Sequence, residues 1–163
     1  MKKNEPKIIG CVIETPQDIN TILKKVEAHK KKYDTFLQLF NADLVIGKDH
    51  LLWAYDKAKR GFKQNTNRAE SMEIETLLWA SGERQIKNAI KIMGIPKDSR
   101  KAVIMMEKGL NEFLEMMEWE RDDTLVEPSL EKLHRFGIKK EKIELSEEPY
   151  DLIFEKMSTS VFQ

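Results

Sequence analysis

Cysteine is almost missing from this chain: Cys11 is the lone thiol among 163 residues. No internal disulfide can form, and a reducing compartment fits that composition. Long apolar runs are missing too. The opening "MKKNEPKIIGCVIE" puts basic residues ahead of an apolar stretch, but the stretch is short and ends at Glu14. A secretory signal needs a longer apolar region, and a membrane span needs ~20 such residues. The expectation is a soluble, cytoplasmic protein with no membrane attachment. His29, His50 and His134 lie far apart, none in metal-ligand spacing with Cys11 or another histidine, so neither metal nor cofactor is expected. There is no G-x-S-x-G elbow, Walker loop or paired-glycine nucleotide fingerprint. No repeat, low-complexity tract or long linker interrupts the chain, and 40% hydrophobic residues suffice for a sizeable core. These features point to one compact domain.

What is there is charge, in quantity and unevenly spread. The net charge is zero, from 28 basic and 28 acidic residues. Yet Lys57, Lys59, Arg60, Lys63 and Arg68 fall in a twelve-residue window without one acid. Conversely, Glu112, Glu115, Glu118, Glu120, Asp122, Asp123, Glu127 and Glu131 face a lone Arg121. Charges more than ~10 Å apart are screened at physiological salt, so local fields rather than the total select partners.

Periodicity supplies the elements. "KIIGCVI" (7–13), "TFLQLF" (35–40) and "KAVIMM" (101–106) read as short buried strands. Thr15 as N-cap and Pro16 at the first turn would open a helix striped by Ile19, Ile22, Leu23 and Val26. A second helical signal starts near Asp49, with Leu51, Ala54, Tyr55, Ala58 and Phe62 on one face. Ser71 caps the next helix, which holds Ile74, Leu77 and Leu78 and stops at Ser81-Gly82. Another carries Ile86, Ala89, Ile90 and Met93 to a stop at Gly94. Beyond the third strand come a helix from about Leu110 to Trp119, an acidic loop, a helix opened by Pro128-Ser129, and a last amphipathic segment "YDLIFEKM". The order predicts an α+β fold, helices packed on a small, mostly antiparallel sheet.

Few of the chemistry-bearing residues survive a plain structural explanation. Cys11 sits in an apolar strand, where burial raises its pKa and leaves it inert. Glu73 and Glu75 could be a carboxylate pair, but acids in a helix's first turn offset the macrodipole. Trp53, Trp79 and Trp119 on apolar stripes read as core rather than as base-stacking platforms. The basic face is harder to explain away. Turning ~100° per residue, Ile86, Ala89, Ile90 and Met93 share one side, with Arg84, Lys87 and Lys91 opposite. Lys59 and Lys63 are i, i+4 neighbours, and Lys57 and Arg60 are i, i+3. Such a face is either a solvated helix surface or a track for phosphates, drawing affinity from counterion release. On the last helix, Ile153, Phe154 and Met157, spaced i, i+1 and i+4, form an apolar patch. It either docks a partner or packs that helix onto the core.

From "AYDKAKRGF" through "NRAESMEIETLLWASGERQIKNAIKIMGI" to "KAVIMM", the chain resembles the tRNA-binding accessory subunits of the KEOPS complex, the TPRKB-like family. The shared pattern is a basic, alanine-bearing helix and a polar loop. After these come Glu-x-Leu-Leu-aromatic-Ala-Ser-Gly and Arg-Gln-Ile-x-x-Ala-Ile, ending in Gly-Ile. The resemblance is best between about Asp43 and Met106, and Trp79 stands where many relatives have tyrosine. It implies a subunit without catalysis of its own, in the complex that installs threonylcarbamoyl on the adenosine beside the anticodon. Such a subunit docks on a small atypical kinase-ATPase, and through it meets the threonylcarbamoyl transferase. It also recruits tRNA by the acceptor arm and 3′ CCA end. The basic side chains Lys57, Lys59, Arg60, Lys63, Arg68, Arg84, Lys87 and Lys91 would then track the acceptor arm. A mobile tail at 159–163 would bring Val161 and Phe162 to the CCA bases, where aromatics or Arg planes stack. The competing expectation is a protein-only adaptor of the kinase-ATPase.

Overall fold

Four strands make the sheet: β1 (Lys7–Val12), β2 (Leu37–Phe40), β3 (Lys101–Met106) and the two-residue β4 (Glu120–Arg121). Their order is β2-β3-β1-β4, and every pairing is antiparallel. The computed structural model describes residues 5–161, and of these the side chains of 160 and 161 are outside the description. The chain forms two compact units, each assembled from two stretches: Met1–Ala42 with Ile95–Val126, and Asp43–Gly94 with Glu127–Gln163.

The first unit is the α+β part, built on the predicted antiparallel sheet. Ile9 and Leu39 both register with Ile104 across the three longer strands. With Cys11, Ile13, Leu37 and Met106 they line one sheet face. Against that face pack Ile22 and Val26 of α1 (Ile19–Tyr33), together with Phe113 and Met117 of α5 (Leu110–Met117). Ile8, Val103 and Met105 on the other face are buried as well. That is why these strands read as continuous apolar runs rather than alternating ones. α1 opens later than predicted. Asp18, not Thr15, is its cap, accepting from the Asn20 N–H at 3.1 Å. Pro16 lies in the loop before it. β4 falls inside the predicted acidic loop: two exposed charged residues carry no hydrophobic alternation to announce a strand.

The second unit is helical among its described residues: α2 (Gly47–Lys63), α3 (Met72–Ser81), α4 (Ile86–Met93), α6 (Leu130–Arg135), α7 (Lys140–Leu145) and α8 (Leu152–Val161). Ser71 caps α3 as expected, and Ser129 caps α6, the helix expected to open at Pro128-Ser129; they accept from the Ile74 and Lys132 N–H groups. α7 was not separately foreseen, because six residues that bury only Ile143 give no periodic signal. The Ser81-Gly82 break works as expected: Gly82 takes the left-handed conformation (φ 71°) and its N–H closes on the Leu78 carbonyl. Gly94 ends α4 differently, with an ordinary φ of −70°. Here the requirement is space, since an added Cβ would stand 2.6 Å from the Ile90 carbonyl oxygen.

Candidate nucleic-acid and partner interface

α2 buries Leu51, Ala54 and Ala58. That orientation turns Asp56, Lys59, Arg60 and Lys63 outward, at i, i+3, i+4 and i+7. The same helix face borders a groove of about 590 Å³, lined by these four residues with Tyr55, Phe62 and Met72. Three predicted RNA-binding residues therefore converge on one concavity with an apolar wall. The Lys59 ammonium lies 5.6 Å from the Tyr55 ring centroid, and Arg60 and Lys63 occupy the last turn, where the helix dipole favours cations. The groove's apolar members Tyr55 and Phe62 lie on the stripe expected to face the core, and periodicity alone does not mark them as groove lining. Asp56, immediately before the acid-free window, shares the groove. The local field is positive but not unopposed.

Lys57 and Arg68 go elsewhere. Lys57 sits 5.6 Å from the ring centroid of Trp53 and 5.9 Å from that of Trp79. Arg68 lies 5.1 Å from the Trp79 centroid and pairs with Glu75 at 3.8 Å. Glu75, only 1% exposed, accepts from the Arg68 and Ala69 backbone N–H groups at 2.8 Å each. It also accepts from Trp79 Nε1 at 3.2 Å. It is more than a dipole-offsetting first-turn acid, because it ties the loop before α3 to that helix. Trp53 and Trp79, expected in the core, are half-buried, edge to face at 5.8 Å. The i, i+4 spacings Trp53–Lys57 and Glu75–Trp79 were the available signal.

On the remaining basic positions, Arg84, Lys87 and Lys91 are exposed as expected. The opposite face of α4 divides: Ala89 and Met93 are fully buried, whereas Ile86 and Ile90 stay 39% and 47% exposed. On α8, Ile153 and Met157 have no exposed surface, so neither side chain touches a partner in this conformation. Phe154 alone of that trio is half-buried, its ring 5.9 Å from Trp53. α8 reaches Val161, taking in part of the expected tail, and the Thr159 hydroxyl donates to the Glu155 carbonyl at 2.7 Å. Phe162 and the side chain of Val161 lie outside the described residues.

The other titratable candidates are spent on structure. Cys11 is fully buried, and burial, helped by the nearby Asp123 charge, pushes its thiol up to about 12. His50 is fully buried too: Nδ1 accepts from the Ile46 N–H at 3.1 Å, while Nε2 donates to the Ala80 carbonyl at 2.8 Å. Burial holds its pKa at about 4. His29 Nε2 bonds the Gly109 carbonyl at 2.9 Å. Among the described residues no three His, Cys, Asp or Glu side chains converge as a metal site, and no helix is long and apolar enough to cross a membrane.

Comparison with known proteins gives this arrangement a context. Residues 13–153 match the family described as kinase binding protein CGI-121. The chain is 35% identical, over 95 residues, to the regulatory protein Cgi121 of Methanocaldococcus jannaschii. That alignment takes in 58% of this chain and 63% of the relative's length.

Proposed function

This chain belongs to the CGI-121 family of kinase-binding proteins, and from that premise we propose that it is the non-catalytic accessory subunit of a KEOPS-type complex. In this reading it acts in the cytoplasm, docks on the small kinase-ATPase subunit and meets the threonylcarbamoyl transferase through it. It recruits tRNA by the acceptor arm and the 3′ CCA end. The observation that carries the RNA half of the reading is the α2 groove. Lys59, Arg60 and Lys63 point one charge set at one concavity whose wall includes Tyr55 and Phe62. Cations for phosphates beside apolar rings suit a strand with unpaired bases. Lys57 and Arg68 contribute less to that track, since their cations already lie over tryptophan rings.

The test is tRNA binding by the purified chain across a salt series, without metal or nucleotide. Reversing Lys59, Arg60 and Lys63 together to Glu removes up to three phosphate contacts. It should weaken binding and lower the slope of log K against log salt by about 2 to 3. A variant that binds tRNA like the parent at every salt concentration would assign the groove to another ligand and favour the protein-only adaptor.

A further inference from the structure

Away from the α2 groove, Trp53, Trp79 and Phe154 form a half-buried aromatic cluster with Lys57 and Arg68 beside the tryptophan rings. We infer that this cluster is the docking point for the kinase partner, receiving an apolar side chain flanked by carboxylates. The inference rests on the kinase-binding reading and adds the surface and the chemistry of what it takes.

Composition is the first reason. Interface energy concentrates in tryptophan and arginine anchors ringed by less critical polar contacts, and here two tryptophans and a phenylalanine sit with one arginine and one lysine. Rigidity is the second. Trp79 Nε1 is held by Glu75 Oε2 at 3.2 Å, and Glu75 is itself fixed by two backbone N–H donors. Trp53 packs in T-shaped contact with both Trp79 and Phe154, with centroids 5.8 and 5.9 Å away. A patch already ordered in the unbound chain loses little side-chain entropy on docking.

Charge selects the occupant. Arg68 is offset by Glu75 at 3.8 Å, whereas Lys57 forms no ion pair with an acid among the described residues. An acidic residue next to the inserted apolar group is its complement, and such pairing chiefly raises the association rate. The same geometry disfavours RNA at this point. Lys57 approaches both tryptophan rings and Arg68 approaches one, so a base stacking there would have to displace a cation from the π-face.

The experiment measures affinity of the purified full chain for the purified kinase, and for tRNA, in the parent and two variants. Trp53→Ala should bind the kinase at least tenfold more weakly. Lys57→Glu, which leaves all three aromatic rings in place, should slow association, with the penalty shrinking as salt rises. Trp53→Ala should also bind tRNA within about threefold of the parent, and circular dichroism checks that both variants fold. If Trp53→Ala misfolds, Lys57→Glu decides alone. Kinase binding by the parent that neither variant weakens overturns the inference and leaves the kinase-binding reading standing. Variants that lose tRNA but keep the kinase would make the cluster a base-stacking platform instead. A parent that does not bind the kinase at all overturns the kinase-binding reading itself.

Discussion

At the scale of single residues, His50 shows how a side chain spent on structure can still govern behaviour. Its Nδ1 lone pair satisfies the Ile46 N–H at the start of α2, a job only a neutral ring can do. The Lys132 charge, whose ammonium bonds the Val45 carbonyl at 2.8 Å, adds to the penalty for a second proton. A folded-state pKa of about 4 against an ordinary 6.5 fixes the sign. The unfolded chain takes up the proton first, so the contribution is whole above pH 6.5 and is lost as pH falls through 4. Its size is roughly 3 kcal/mol, because each tenfold loss of proton affinity on folding is worth ~1.4 kcal/mol. Urea unfolding at stepped pH should show the parent losing stability between 6.5 and 4 more steeply than His50→Gln, which starts less stable but lacks that titration. Parallel curves would show that the ring is not the titrating group. In the sequence this histidine shows only that no cysteine or second histidine stands at metal-ligand spacing from it. Its real partners are four and thirty residues away, and no local pattern encodes the latter. Glu75 is a similar case: its place in the first turn was legible, but its bonds to Arg68 and Ala69 depend on how the preceding loop folds back.

At the scale of elements, legibility followed length and amphipathic contrast. The three longer strands, the Ser71 cap and the Pro128-Ser129 opening were readable because each is a local signal of residue type at fixed offset. α7 and β4 were not, since six and two residues leave no period to detect. α4 was half legible. Its apolar side is correctly grouped, yet periodicity says which residues share a face and nothing about whether the face is covered. Ile86 and Ile90 remain substantially exposed. The start of α1 is the clearest miss, where Thr-Pro matched a good opening signal but the chain opened at Asp18. The two assignments predict opposite mutants. Asp18→Ala should cost about 0.5–2 kcal/mol, by orphaning a first-turn N–H. Thr15→Ala, at an exposed loop position, should stay within about 0.5 kcal/mol of the parent. Chemical denaturation of both reads the difference, and a larger loss at Thr15 would restore the earlier start.

At the scale of the whole molecule, the balanced charge conceals local concentrations of each sign. The acid-rich 112–123 stretch belongs to the sheet unit, and the basic groove belongs to the helical unit. Family membership was legible where a long stretch carried a recognisable order of residue types, and the family match spans that stretch. The proposed site was less so, because grooves and clusters are made by helices meeting, not by spacing along one of them. The C-terminal end tests how the proposed RNA reading extends beyond the groove. Ile153 and Met157 pack α8 through fully buried side chains, and they precede the last turn. Deleting residues 159–163 removes the Thr159 hydroxyl's bond to Glu155 and leaves both buried anchors in place, so the chain should still fold and bind the kinase. Phe162 offers a π-face, and a stacked base is worth ~1–3 kcal/mol, so tRNA binding should weaken by about tenfold, the equivalent of ~1.4 kcal/mol. Against tRNA trimmed of its CCA the same deletion should cost almost nothing, because both changes remove one shared contact. Binding measured for all four combinations closes the cycle, and an equal loss with and without CCA would place the tail's contact elsewhere on the RNA.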